Sequence, residues 1–72
     1  MKHTTNPQDL TAPFKVYPAE PGSDGKLHAR PIVGKVETLD QALTLGRTRT
    51  TTTHFAVVGD NGRYLTMQKP RT

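Results

Sequence analysis

Three histidines, six carboxylates and one serine are the side chains of this 72-residue chain that could support acid–base, nucleophilic or metal chemistry. Their spacing favours none of the three. His3 lies in a polar N-terminal stretch, and His28 and His54 lie in two well-separated strand-like stretches. Neither of these two has a cysteine or carboxylate at ligand spacing, so a zinc site is not expected. Glu37 and Asp40 flank a helix start, where negative charge favours the dipole, and Asp60 sits in a turn. No two carboxylates are placed as a pair for general acid–base work. Gly22-Ser23-Asp24-Gly25 and Gly59-Asp60-Asn61-Gly62 lack the following helix and the lysine-serine/threonine pair of a phosphate loop. Ser23 has no nucleophile-elbow context. The expectation is a non-enzymatic protein without a metal or cofactor.

Cations are the stronger signal. The formal net charge is +4, which permits an anionic partner without demanding one. Lys15, Lys26, Arg30 and Lys35 fall in the first half, and Arg47, Arg49, Arg63, Lys69 and Arg71 in the second. A nucleic-acid surface needs such groups to converge on one strip, with aromatics if bases are to stack. One sheet face is expected to present Lys15, Tyr17, Tyr64 and Thr66, with Arg30 beside them. Arg47, Arg49 and Arg63 complete the candidate binding positions. No ribonucleoprotein-type motif accompanies them, and Arg47-Thr48-Arg49-Thr50 lies at a helix C-terminus, where the dipole disfavours anions. Charge that keeps small sheet edges soluble explains the same residues and outweighs the nucleic-acid reading.

The elements that must carry these residues are organised around positions 38–67. Thr38 and Gln41 have the T-x-x-Q spacing of a capping box, so a helix of about two turns starts at Leu39. Leu39, Ala42 and Leu43 make its apolar stripe, with Leu45 at the margin. Gly46 either ends the helix or allows close packing on a sheet. The β-branched run from Thr50 to Val58 favours a strand and leads into Gly59-Asp60-Asn61-Gly62, the strongest turn signal in the chain. An Asn61-Gly62 type I′ turn would pair Val58 with Leu65. A type I turn with Gly62 as the bulge residue would pair Val57 with Leu65 and Phe55 with Met67. The second buries the larger apolar residues and is preferred.

Upstream, Phe14-Lys15-Val16-Tyr17 alternates as a first strand, and a glycine-rich loop leads to a second strand over about 27–37 that Pro31 should kink and confine to an edge. The expected architecture is α+β: a two-layer ββαββ sandwich whose four-stranded antiparallel sheet, in the order 2-1-3-4, carries one helix on one face. The expected core is Phe14, Val16, Ile32 or Val33, Val36, Leu39, Ala42, Leu43, Phe55, Val57, Leu65 and Met67. Residues 14–69 form the domain, 1–13 a flexible arm and 70–72 a tail.

The chain has no cysteine, no run long and apolar enough to span a membrane, and no hydrophobic centre in its first 13 residues. A cytoplasmic location without membrane association is the expectation. The best functional expectation is a small accessory or inhibitory module that binds a protein through its open sheet face or an edge strand. Nucleic-acid binding through a basic sheet surface is the alternative, and the chain is expected to be a monomer or an edge-strand homodimer.

Overall fold

The Thr38 hydroxyl accepts the Gln41 amide at 3.2 Å, and helix α1 runs from there over Leu39–Arg49. The computed structural model describes residues 2–69; Met1 and the tail 70–72 lie outside the described residues. The helix is longer than two turns because Gly46 does not end it. Gly46 is buried, and a Cβ built on it would lie 2.3 Å from the Phe55 ring, so its missing side chain is what lets α1 approach the sheet. The last turn closes through hydroxyls: Thr48 Oγ1 donates to the Thr44 carbonyl at 2.8 Å, and the buried Thr50 donates to the Gly46 carbonyl. Lys69 Nζ donates to the Thr50 carbonyl, which places a positive charge at the negative end of the helix.

Thr51–Thr53 connect the helix to a hairpin of two strands, His54–Val58 and Arg63–Gln68. Val57 pairs with Leu65 and Phe55 with Met67, the preferred register. Gly62 has φ +79°, the left-handed conformation that this turn requires of its bulge residue. Strand Phe14–Pro21 runs antiparallel beside His54–Val58, with Val16 opposite Val57.

A four-stranded, wholly antiparallel sheet is not what the chain forms. The expected second strand is two short ones, Leu27–Ala29 and Gly34–Val36, which pair with successive parts of the same edge of Phe14–Pro21. Pro31 has no amide to offer the ladder, and the segment around it leaves the sheet between the flanking bonds Arg30 N–Pro18 O and Val33 N–Val16 O. A sixth strand, Lys2–His3, pairs in parallel with Arg63–Tyr64. Numbered along the chain, the strands are thus β1 (Lys2–His3), β2 (Phe14–Pro21), β3 (Leu27–Ala29), β4 (Gly34–Val36), β5 (His54–Val58) and β6 (Arg63–Gln68). The sheet is mixed, in the order β1-β6-β5-β2-β3, with β4 also on β2.

Residues 2–13, read from the sequence as an arm, lie against the domain. After β1 the chain makes a short 3-10 turn at Pro7–Asp9, capped by the Asn6 side chain. It then meets the β5–β6 turn: Asn61 Nδ2 donates to the Asp9 carbonyl at 2.7 Å, and the Asp60 amide donates to the Thr11 carbonyl at 2.9 Å. Leu10, 6% exposed, enters the core beside Phe14, Val16, Ala42, Phe55, Val57 and Leu65. Val33, Val36, Leu39, Leu43, Leu45 and Met67 pack around this cluster. Of the Ile32/Val33 pair it is therefore Val33 that serves the core; Ile32 is 46% exposed.

Candidate functional site

With α1 and the core on one side of the sheet, the alternate residues of each strand form the other side, where no helix covers them. Lys15, Tyr17 and Ala19 alternate with the core residues of β2, and Ala56 and Val58 with those of β5. The sheet curls so that this face encloses a depression of about 590 Å³. Ala19 and Ala56 are buried in its floor, beside Tyr17 and Val58. Leu27 and Ala29 of β3 line one side; Tyr64 and Thr66 of β6 line the other. His3 reaches it from β1, its ring edge-on to Tyr64 with centroids 5.2 Å apart. Lys26, just before β3, also borders it.

The size suits a few apolar side chains of a ligand or partner. Small residues in the floor keep the depression open: larger side chains at Ala19, Ala29 and Ala56 would fill it. It is a sheet face built mainly of apolar groups, where a solvated face ordinarily alternates to polar ones.

Four of the eight candidate positions share this face: Lys15, Tyr17, Tyr64 and Thr66. The other four do not converge with them. Arg30 belongs to the opposite side and pairs with Glu20. Arg63 lies across from Lys2 and 3.9 Å from Asp9, near the hairpin turn. Arg47 and Arg49 are exposed on the last turn of α1, in the other layer. Of the two cations expected on this face, Lys15 and Arg30, the strands divide the pair and only Lys15 is there. Strand alternation carries this division: odd positions of β2 and β3 face out while Glu20 and His28 face the helix side, and β6 reverses the parity.

The preferred hairpin register already turns Ala56 and Val58 outward with Tyr64 and Thr66; His3, Ala19, Leu27 and Ala29 are the lining residues that sequence reasoning missed. The signal lay in β5, where Phe55-Ala56-Val57-Val58 is apolar at both parities; such a strand is covered on one face and leaves apolar groups on the other. His3 offered no signal of its own, because its position depends on the parallel pairing of β1.

The histidines stand apart. His28 Nε2 lies 3.0 Å from an Asp24 oxygen at the tip of the β2–β3 loop, at a spacing of four residues that the sequence analysis passed over. The His28 hydrogen bond, and after it the Lys26 amide, holds the Asp24 carboxyl below the ordinary carboxylate range. The other two rings make separate contacts: His54 Nδ1 meets the Thr53 hydroxyl at 2.8 Å, and His3 meets Tyr64. Among the described residues, no group of three or more His, Asp or Glu side chains comes together in the geometry that could hold a metal ion. Among the described residues, no helix is long and apolar enough to cross a membrane. The chain matches no family model, no curated protein and no solved structure, so the chemistry of this face rests on its own geometry.

Proposed function

We propose that this chain is a small, non-enzymatic protein-binding module, an accessory or inhibitory factor that works through the open face of its sheet. The observation that carries the reading is the apolar depression between β3 and β6. Each large apolar side chain that a partner buries there would contribute roughly 1.5–3 kcal/mol before the costs of association. Tyr17 and Tyr64 suit such an interface, being half-buried, rigid and amphipathic. The free part of the β6 edge beyond Tyr64 offers a second mode, strand addition, to a partner or to another copy of the chain.

Nucleic-acid binding is the weaker reading. A type I′ turn at Asn61-Gly62 would turn Phe55 and Tyr64 outward together as a stacking surface, and Phe55 is instead 1% exposed in the core. Among the described residues, the arginines, the side chains best suited to grip phosphates, lie off the face.

The test is affinity capture of the tagged chain from nuclease-treated cells of its source, comparing wild type with Val58→Lys and with Arg47→Ala. A protein retained by wild type and by Arg47→Ala but lost with Val58→Lys is the expected result. A partner held equally by the folded Val58→Lys variant would refute the open face as the binding surface.

A further inference from the structure

The charges of this molecule are sorted by face. Three of its six carboxylates have a basic side chain of the chain itself beside them: Glu20 has Arg30, Asp24 has His28 and Asp9 has Arg63. Glu37 and Asp40 sit about the helix start, and Asp60 in the hairpin turn. Among the described residues, no Asp or Glu occupies an outward position of the strands that form the open face. Lys15 and Lys35 are cross-strand partners on that face, and Lys26 borders the depression. All three are exposed, and none is within ion-pairing distance of a carboxylate among the described residues.

Like charges directly opposite across a strand pair are unfavourable, so Lys15 against Lys35 costs stability. That cost is removed by a partner that brings negative charge to the same place. The outer strands of the β3-β2-β5-β6 face stand about 14 Å apart at ordinary strand spacing, room for one helix about 10–12 Å wide. The same sheet already holds one helix, α1, on its other face.

Resting on the protein-binding reading above, we infer that the occupant of the open face is an acidic amphipathic helix of a partner protein. Its apolar side chains enter the depression between Tyr17 and Tyr64, and its carboxylates meet Lys15, Lys26 and Lys35. The floor between the two tyrosines is aliphatic and alanine side chains, which suit leucine-like anchors.

The probes are synthetic amphipathic helices with the same leucine face and either glutamate or lysine on the polar face, together with single- and double-stranded oligonucleotides. Binding is read by fluorescence anisotropy across a salt series. The glutamate helix should bind, weaken as salt rises, and outcompete the lysine helix. Reversing all three lysines, Lys15→Glu, Lys26→Glu and Lys35→Glu, should weaken it about tenfold or more and transfer preference to the lysine helix. The triple Lys→Gln variant guards against misfolding and should lose the preference without reversing it. Equal affinity for both helices would overturn the inference while leaving the apolar face as a protein-binding surface. Tighter binding of an oligonucleotide than of either helix would overturn both. No binding of the glutamate helix near 1 mM would overturn the inference alone, since capture by wild type and not by Val58→Lys tests the broader reading separately.

Discussion

Replacing Gly46 with alanine sets two effects against each other, and the structure decides the sign. In an exposed helix the change would stabilise by about 1 kcal/mol, because glycine is the poorer helix former. Here the new methyl group would lie 2.3, 2.4 and 2.6 Å from three atoms of the Phe55 ring, including the one nearest its backbone. That ring is 1% exposed and wedged in the core, so it cannot swing aside as a surface side chain would. The helix must lift or the ring must leave its rotamer, and overpacking of this kind costs about 1–3 kcal/mol, more where the surroundings are rigid. With the contact this short the upper part of that range applies, for a net loss of about 1–2 kcal/mol. A domain of this size loses about 4–8 °C of Tm per kcal/mol, so thermal unfolding followed by circular dichroism should show a drop of at least about 4 °C. Adding Phe55→Leu should make the alanine nearly neutral or favourable, a coupling that the double-mutant cycle isolates. A Tm unchanged or raised by Gly46→Ala alone would refute the reasoning.

Leu10→Ala should cost about 2–3 kcal/mol in urea unfolding, the low end for a buried leucine at the edge of a core, whereas a free arm would make it neutral. Val57→Thr should cost about 1–3 kcal/mol by burying a hydroxyl in a fully enclosed site, and Val58→Thr, on the open face of the same strand, less than about 0.5 kcal/mol. The Asp24 carboxyl should titrate below the ordinary carboxylate value by NMR, and His28→Ala should return it towards that value. The sign follows from the lowered folded pKa: whatever stability the pair adds is present above the ordinary carboxylate pKa and fades as pH falls through the folded one. Because the group is fully exposed, the effect should be confined to the β2–β3 loop and shrink with salt.

The parts of the fold that could be read from the sequence are those fixed by neighbours in the chain. Thr38 caps because its hydroxyl reaches an amide three residues on. The hairpin register follows from Gly62 accepting a positive φ and from burying Phe55 and Met67 on the same side. What could not be read depends on partners distant in sequence. Leu10 is a lone apolar residue in a polar stretch, and only the approach of the β5–β6 turn makes its burial worthwhile. Gly59 shows why that approach is close: a Cβ there would lie 2.9 Å from the Thr11 amide. Gly46 fits two local roles equally well, and only the position of Phe55, nine residues on, selects packing over termination. The candidate site divided for the same reason, since alternation along one strand is local but Arg30 reaches its partner across two.

The open face poses a folding problem whose solution bears on function. β5 is apolar at both parities, yet only one side of it meets the helix. Tyr17 and Val58 stay half-exposed, while Ala56 and Ala19 are small enough to be sheltered by what surrounds them. A chain selected for stability alone would place threonine or a charged residue at position 58 at little cost, since a half-exposed position yields only part of the burial energy. Valine there adds little to the fold and adds risk of self-association. The three lysines around the face reduce that risk, because two copies brought face to face would bring like charges together. On the proposed reading, the same arrangement that would set copies apart would attract an apolar segment of opposite charge, so resistance to self-association and choice of partner would follow from one pattern of residues.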